Sequence, residues 1–106
     1  MNKVRRETLA QILSDMDEVI ITSVAETEPV ALSFISRVSE ICDQEDEAYA
    51  NIPENFMYSE RAETMAENID SFQTALDILE EATGAESIDD FLENIQEAKS
   101  ALEEIA

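Results

Sequence analysis

The chain has 106 residues, enough for about one small domain, and carries 26 acidic side chains against 6 basic ones, a net charge of −20. This charge excludes direct binding to nucleic acid, because phosphate contacts need Lys and Arg, and makes a basic macromolecule the expected partner. Ile, Val, Leu and Phe together number 27, which is above the level at which no core forms, so we expect a folded domain.

The residue types that are scarce in the chain exclude most catalytic sites. With no His, one Cys and one Gly, the chain has no components for a Ser-His-Asp or Cys-His site, a zinc cluster or a phosphate-binding glycine loop. We therefore predict that the protein is not an enzyme and has no cofactor. Cys42 cannot form an internal disulfide, and Asp15, Asp17 and Glu18 interrupt any signal peptide or membrane span, which predicts a cytoplasmic location without membrane association.

Helical periodicity begins near the amino terminus. The spacing predicts a first helix over residues 3–26, with apolar side chains every three or four positions: Leu9, Leu13, Met16, Ile20 and Val24. A second helix is predicted over residues 29–51, because Pro29 suits a first helical turn. Its apolar positions are Ala31, Phe34, Val38, Ile41, Ala48 and Ile52.

The joint at Pro29 has two interpretations. A proline inside a helix removes a hydrogen bond and clashes with the previous turn at a cost of about 3 kcal/mol, which favours a break between two helices. Thr27 nevertheless stands in register between Val24 and Ala31, so one long kinked helix over residues 3–50, packed on two shorter helices, satisfies the same pattern.

A loop and a third helix follow. Residues 51–58 read Asn-Ile-Pro-Glu-Asn-Phe-Met-Tyr and predict a loop whose apolar members cover the end of the core. Ser59 suits a helix cap, and a third helix is predicted over residues 59–83. Its apolar seam alternates by three and four, as in a bundle: Ala62, Met65, Ile69, Phe72, Leu76 and Leu79.

Gly84 ends the third helix, and a fourth is predicted over residues 87–105. The run Ser-Ile-Asp-Asp from Ser87 resembles a capping box with Asp in place of Glu. The apolar seam of this helix comprises Ile88, Phe91, Ile95, Ala98, Leu102 and Ile105. No segment shows a competing strand pattern.

Helices of similar length with short connections predict an all-α, antiparallel bundle of about four helices in one domain. Lys3, Arg5 and Arg6 at the start of the first helix, and Glu103 and Glu104 at the end of the last, oppose their helix dipoles. Because the two ends meet in an up-down-up-down bundle, we expect these clusters to neutralise each other.

Acidic side chains form rows on the last two helices, away from the apolar seams. The residues that we predict to bind a partner are Glu60, Glu63, Glu67, Asp70, Asp77, Glu81, Asp89, Asp90, Glu93 and Glu97. Spreading 20 net charges along a helix about 35 Å tall gives about one charge per 1.7 Å, close to the linear density of duplex DNA. Few basic residues are present to form the i, i+4 pairs that would stabilise the helices.

Two functions from different classes fit these rows. In the first, the protein imitates the phosphates of DNA, occupies the basic groove of a nucleic-acid-binding protein and also forms a homo-oligomer. In the second, it is a structural or interaction protein that forms homo-oligomers through its hydrophobic seams, and its acidity keeps it soluble.

The second helix also contains a cluster of acids and a charge within its seam. Residues 43–47 cluster four carboxylates but lack the glycine and the ligand order of a calcium loop, so no metal site is predicted. Glu45 occupies a seam position, where it is either a rim residue that reaches solvent or a partner of Arg61 that fixes the register of the hairpin.

Three stretches resemble a group of small acidic helical proteins encoded by bacteriophages and prophages. They are the start Met-Asn-Lys-Val-Arg-Arg, the run from Glu45 to Glu54 that contains Asn-Ile-Pro-Glu, and Ser59-Glu60-Arg61 with the acidic helix after it. The similarity covers roughly half of the chain, and residues 15–39 depart from it. The resemblance implies a phage-type origin but no established activity, and it supplies no binding residues. Because small acidic phage proteins often block host DNA-handling or defence enzymes, it favours DNA imitation over the alternative.

Overall fold

Capping side chains fix where three of the four helices begin in the computed structural model, which describes residues 1–105. Asn2 Oδ1 accepts a hydrogen bond from the Arg5 amide at 2.8 Å, and Ser59 and Ser87 accept the equivalent bonds at the starts of the third and fourth helices. The helices are α1 (Lys3–Asp17), α2 (Thr27–Ala50), α3 (Glu60–Thr83) and α4 (Ile88–Glu103), with 3-10 turns at Val24–Glu26 and Glu54–Phe56.

The first helix ends at Asp17, so the predicted end at residue 26 is wrong. Residues 19–22 are four consecutive β-branched side chains, which have low helix propensity. Beyond them, the Thr22 amide and hydroxyl donate to the Glu26 carboxylate at 3.0 and 2.9 Å, which holds the pKa of Glu26 below its ordinary value. Polar contacts of this kind compete with helical geometry, and residues 18–26 form a connector instead.

Two helices flank this connector, so the long kinked helix over residues 3–50 is absent from the structure. The break lies before Thr27, whose hydroxyl donates to the Val24 carbonyl at 2.7 Å. Pro29 is the third residue of α2, where its missing amide costs no intrahelical bond.

The helices pack as the predicted all-α antiparallel bundle. Short connections reverse the chain between α2 and α3 and between α3 and α4. Arg5 at the start of α1 meets Glu45 near the end of α2, whereas Asp15 near the end of α1 meets Arg37 earlier in α2. α1 therefore runs antiparallel to α2, and it also contacts α4.

The apolar core lies where all four helices meet. Ile12, Val38, Phe72, Leu79, Phe91 and Leu102 are fully buried there. Full burial of side chains of this size stabilises the fold by roughly 1.5–3 kcal/mol each. The predicted seams of α3 and α4 therefore form the interior of one chain, and its dimensions are 52 × 21 × 18 Å.

The charge clusters at the two chain ends pair with other residues rather than with each other. Among residues 1–105, Lys3 pairs with Glu7 and Arg5 with Glu45, while Glu103 pairs with Lys99. Lys99 in turn contacts Asp17 at the end of α1. The predicted mutual neutralisation is therefore wrong, because the last turns of α4 lie beside the end of α1 rather than beside its start.

No helix within residues 1–105 combines the length and the apolar character needed to cross a membrane.

Candidate functional site

The acidic face is the set of ten carboxylates on the outer sides of α3 and α4. All ten are exposed: Glu60, Glu63, Glu67, Asp70, Asp77, Glu81, Asp89, Asp90, Glu93 and Glu97. Burial of the opposite side of each helix fixes this orientation, since Phe72 and Phe91 are inaccessible to solvent. The two helices pack against each other.

The acidic face has no ion pair within residues 1–105. Cations elsewhere in the chain are directed to other acids, namely Glu7, Asp15, Asp17, Glu45 and Glu103. α3 contains seven acidic residues and one Arg, whereas α1 contains three of each sign and is neutral overall. The acidic face therefore retains its full negative charge toward solvent.

Helix geometry spaces the carboxylates of α3 regularly. At a rise of about 1.5 Å per residue, neighbours from Glu60 to Asp70 lie about 4.5–6 Å apart along the axis, and Thr74 interrupts the row before Asp77. Over the 52 Å length of the molecule, 20 net charges amount to about one per 2.6 Å. This density is below the one per 1.7 Å of duplex DNA, because the molecule is longer than a single helix.

α2 carries further exposed acidic residues, which lie outside the acidic face. Glu28, Glu40, Asp43, Asp46 and Glu47 are all exposed on α2. The spacing of these acids relative to the apolar seam of α2 could have identified them as exposed. Negative charge therefore extends around the bundle from α4 through α3 to α2.

Glu45 lies at the centre of a buried polar network. Its side chain is fully buried; the Arg5 Nε donates to Oε1 at 3.0 Å and the Asn68 Nδ2 donates to Oε2 at 3.0 Å. Both predictions for Glu45 are therefore wrong, since it is not at the rim and its cation is Arg5 rather than Arg61. Arg5 is 40 residues away in sequence, and only the packing of α1 against α2 brings the two together.

Two further ion pairs hold α1 against its neighbours. Arg37 Nη2 donates to Asp15 Oδ2 at 2.7 Å, which lowers the pKa of that carboxyl group, and Gln11 adds a second hydrogen bond. At the same end of α1, on the side that faces α4, the hydrogen bond to Asp17 raises the pKa of Lys99. We call the surface of α2 and α4 that receives α1 the α1 seat; its charged residues are Arg37, Glu45 and Lys99.

Cys42 and the acidic cluster of α2, residues 43–47, are the thiol and the candidate metal ligands that the sequence contains. Within residues 1–105 no three His, Cys, Asp or Glu side chains converge closely enough to hold a metal ion. Burial raises the pKa of the Cys42 thiol, and Asp43 and Asp46 add to that effect, so Cys42 remains protonated at neutral pH.

The loop between α2 and α3 forms an exposed tip rather than a cover for the core. Phe56 and Tyr58 are 55% and 95% exposed, which corrects the prediction for residues 51–58. Beside them, a groove of about 500 Å³ is lined by Ala48, Asn51, Ile52, Pro53, Phe56, Ser59 and Arg61.

A comparison with protein families, with curated proteins and with solved structures finds no match for this chain.

Proposed function

We propose that the protein acts without catalysis, as an inhibitor that imitates DNA and occupies the nucleic-acid site of a basic protein. The observation that carries this proposal is the acidic face: ten exposed carboxylates on two adjacent helices, none of them in an ion pair with any residue from 1 to 105. A surface built for solubility alone mixes both signs of charge.

A rigid mounting supports this proposal. The buried sides of α3 and α4 include Phe72, Leu79 and Phe91, so the backbone that carries the carboxylates is held by the core. Because this backbone is fixed before binding, little backbone freedom is lost on binding, which favours affinity. The long-range field of such a surface also accelerates encounter with a basic partner at low salt.

The resemblance to acidic phage-encoded proteins favours a DNA-handling or defence enzyme of a bacterial host as the target. Such a target presents Lys and Arg to phosphate groups, and the acidic face offers carboxylates to the same side chains. In this proposal the protein acts in the cytoplasm of the host cell, as a cytoplasmic target requires.

Assembly through the hydrophobic seams is the rival proposal, and the packing does not favour it. Met65, Phe72 and Leu79 of the α3 seam are buried inside one chain. A homo-oligomer built on these seams would require the bundle to open first.

The decisive experiment compares two triple variants with equal changes of charge. Glu63→Lys, Glu67→Lys and Asp70→Lys reverse part of the acidic face; Glu40→Lys, Asp43→Lys and Glu47→Lys reverse three exposed acids of α2. Each variant and the unmodified protein is immobilised, and a bacterial lysate is applied at low salt. Circular dichroism checks that both variants remain helical.

We expect the α3 variant to lose the captured partner and the α2 variant to retain most of it. Raising the salt concentration should release the partner from the unmodified protein steeply, because exposed charges are screened. Equal loss in both variants would show that total charge, rather than the acidic face, decides binding. Capture that resists salt would contradict DNA imitation.

A further inference from the structure

α1 is the most lightly packed helix of the bundle. It buries three side chains, Leu9, Ile12 and Met16, whereas α3 buries eight. Its contacts with α2 and α4 are less extensive than those of α3 with the same two helices. The hairpin of α2 and α3, extended by α4, therefore holds most of the core without α1.

Every ion pair between different helices in the described chain involves α1. Arg5 reaches Glu45 and Asp15 reaches Arg37 on α2, and Asp17 reaches Lys99 on α4. The α1 seat is therefore a binding site with both apolar and charged specificity, and an α1 helix is the partner that it fits.

The connector carries an apolar pattern that the closed bundle does not use. Met16, Ile20, Val24, Thr27 and Ala31 continue one helical stripe across residues 18–26. In the structure, however, Ile20 is 83% exposed and Val24 is 45% exposed. A continuous helix from α1 to α2 would align both residues with Met16 and Ala31.

We propose that the chain has a second, open form in which the connector becomes helical and α1 docks on the α1 seat of a second copy, reciprocally. Each seat in this exchanged dimer receives the contacts that it makes in the closed chain, so little new surface has to be complementary. The stripe that contains Ile20 and Val24 then lies at the junction of the two copies.

Pro29 and the connector hydrogen bonds favour the closed form. In a continuous helix, Pro29 would have no amide to donate to the carbonyl of Ala25, and its ring would crowd that carbonyl. In the closed form Pro29 lies in the first turn of α2, where neither cost arises. The bonds from Thr22 to Glu26 and from Thr27 to Val24 would also break. The acidic face takes no part in the exchange, so this proposal is independent of DNA imitation.

The first test replaces Pro29. We expect Pro29→Ala to lower the dimer dissociation constant at least about 100-fold, measured by analytical ultracentrifugation, because the continuous helix of the open form no longer contains a proline in its interior. The control is Pro53→Ala in the hairpin loop, which should leave the dissociation constant unchanged. If Pro29→Ala stays monomeric at all concentrations, or if both variants dimerise equally, the proposal is wrong.

The second test asks whether α1 changes copies. Arg5→Glu places two acids at the buried site and Glu45→Arg places two arginines there, so each variant alone should be destabilised. When the two variants are mixed, the α1 of the Arg5→Glu chain can dock on the seat of the Glu45→Arg chain. The unmodified α1 of the second chain then docks on the unmodified seat of the first, and both sites hold opposite charges.

We expect the mixture, annealed after partial unfolding, to give a dimer that melts above either variant alone. A chain carrying Arg5→Glu and Glu45→Arg together is the control, because it shows how stable the reversed pair is within one chain. If the control is stable but the mixture melts as two separate variants, α1 does not exchange. If the control is also unstable, the mixing experiment is repeated with Asp15→Arg in one chain and Arg37→Asp in the other. The melting temperature of that mixture then decides whether α1 exchanges.

Discussion

The α1 seat and the acidic face both contain carboxylates, but in opposite environments. At the seat, Glu45 is fully buried, and both of its oxygens accept hydrogen bonds, from Arg5 and Asn68. On the acidic face, the carboxylates are exposed and have no cation within residues 1–105. A carboxylate that has lost its water must be paired, whereas one that keeps its water stays available to a partner.

The charged groups that stabilise the fold are therefore different from those that are available to bind other molecules. Cations are scarce, with 6 against 26 acids, and four of them serve ion pairs along α1 or its seat. The packing of α3 against α2 and α4 is instead mainly apolar and uses none of these cations. The predictions below test this division.

The largest effect should come from the apolar support of the acidic face. Phe72→Ala removes a fully buried ring from α3 and should lower the free energy of unfolding by about 4 kcal/mol, through lost burial and the cavity left behind. Chemical denaturation monitored by circular dichroism measures it. The control is Leu92→Ala on α4, which is 40% exposed and should cost under about 1 kcal/mol. Equal costs would show that the core is not where the structure places it.

Breaking the buried network of the α1 seat should have the next largest effect. Glu45→Ala leaves the Arg5 guanidinium without its carboxylate and should cost about 3 kcal/mol. Amides of α1 should also exchange with solvent faster than those of α3, as hydrogen exchange would reveal.

The double variant Arg5→Met with Glu45→Leu sharpens this prediction. Replacing both charges by apolar groups of similar size should recover part of the lost stability, because no buried charge remains unpaired, although the buried Asn68 Nδ2 still loses the Glu45 oxygen as an acceptor. A double variant as unstable as Glu45→Ala would mean that volume at this position, rather than charge, determines the cost.

Salt should act on the two regions in opposite directions. Screening weakens repulsion across the acidic face, so we expect the melting temperature to rise by about 5 °C, roughly 1 kcal/mol, from low to moderate salt. In the variant Glu63→Gln, Glu67→Gln and Asp70→Asn the rise should be smaller. A midpoint that falls with added salt would mean that the ion pairs of the α1 seat outweigh repulsion on the acidic face.

The smallest effect concerns Asp15 and pH. Because the hydrogen bond from Arg37 lowers the pKa of Asp15 in the folded chain, its stabilising contribution is present above the ordinary value of about 3.9 and is lost as the pH falls through the lower folded value. Asp15→Asn should therefore melt slightly below the unmodified protein at pH 6. The difference should shrink as the pH falls below the ordinary value; a difference of constant size over that range would assign it to packing.

The sequence predicts those parts of the structure that local pattern controls. The seam of α3 and the caps at Ser59 and Ser87 mark their helices correctly, because apolar spacing and capping act within a few residues. The exposure of the acidic face follows from the same spacing. Local pattern fails at residues 18–26, where an apolar stripe in helical register is overridden by β-branched residues and by the bonds of Thr22 and Thr27.

The α1 seat could not be predicted in the same way. The pairing of Arg5 with Glu45 joins residues 40 positions apart and depends on the offset between two helices, which no short-range spacing encodes. The target of the acidic face is likewise not encoded in the spacing of carboxylates, since rows of this kind fit any basic groove of suitable length.

Displacement by DNA tests DNA imitation most directly. The captured partner is purified, bound to the protein at low salt and titrated with short duplex DNA, and the complex is followed by fluorescence anisotropy. The account predicts that DNA displaces the protein completely and that affinity for the protein falls steeply with salt. A ternary complex of partner, protein and DNA, or a salt-independent affinity, would contradict it.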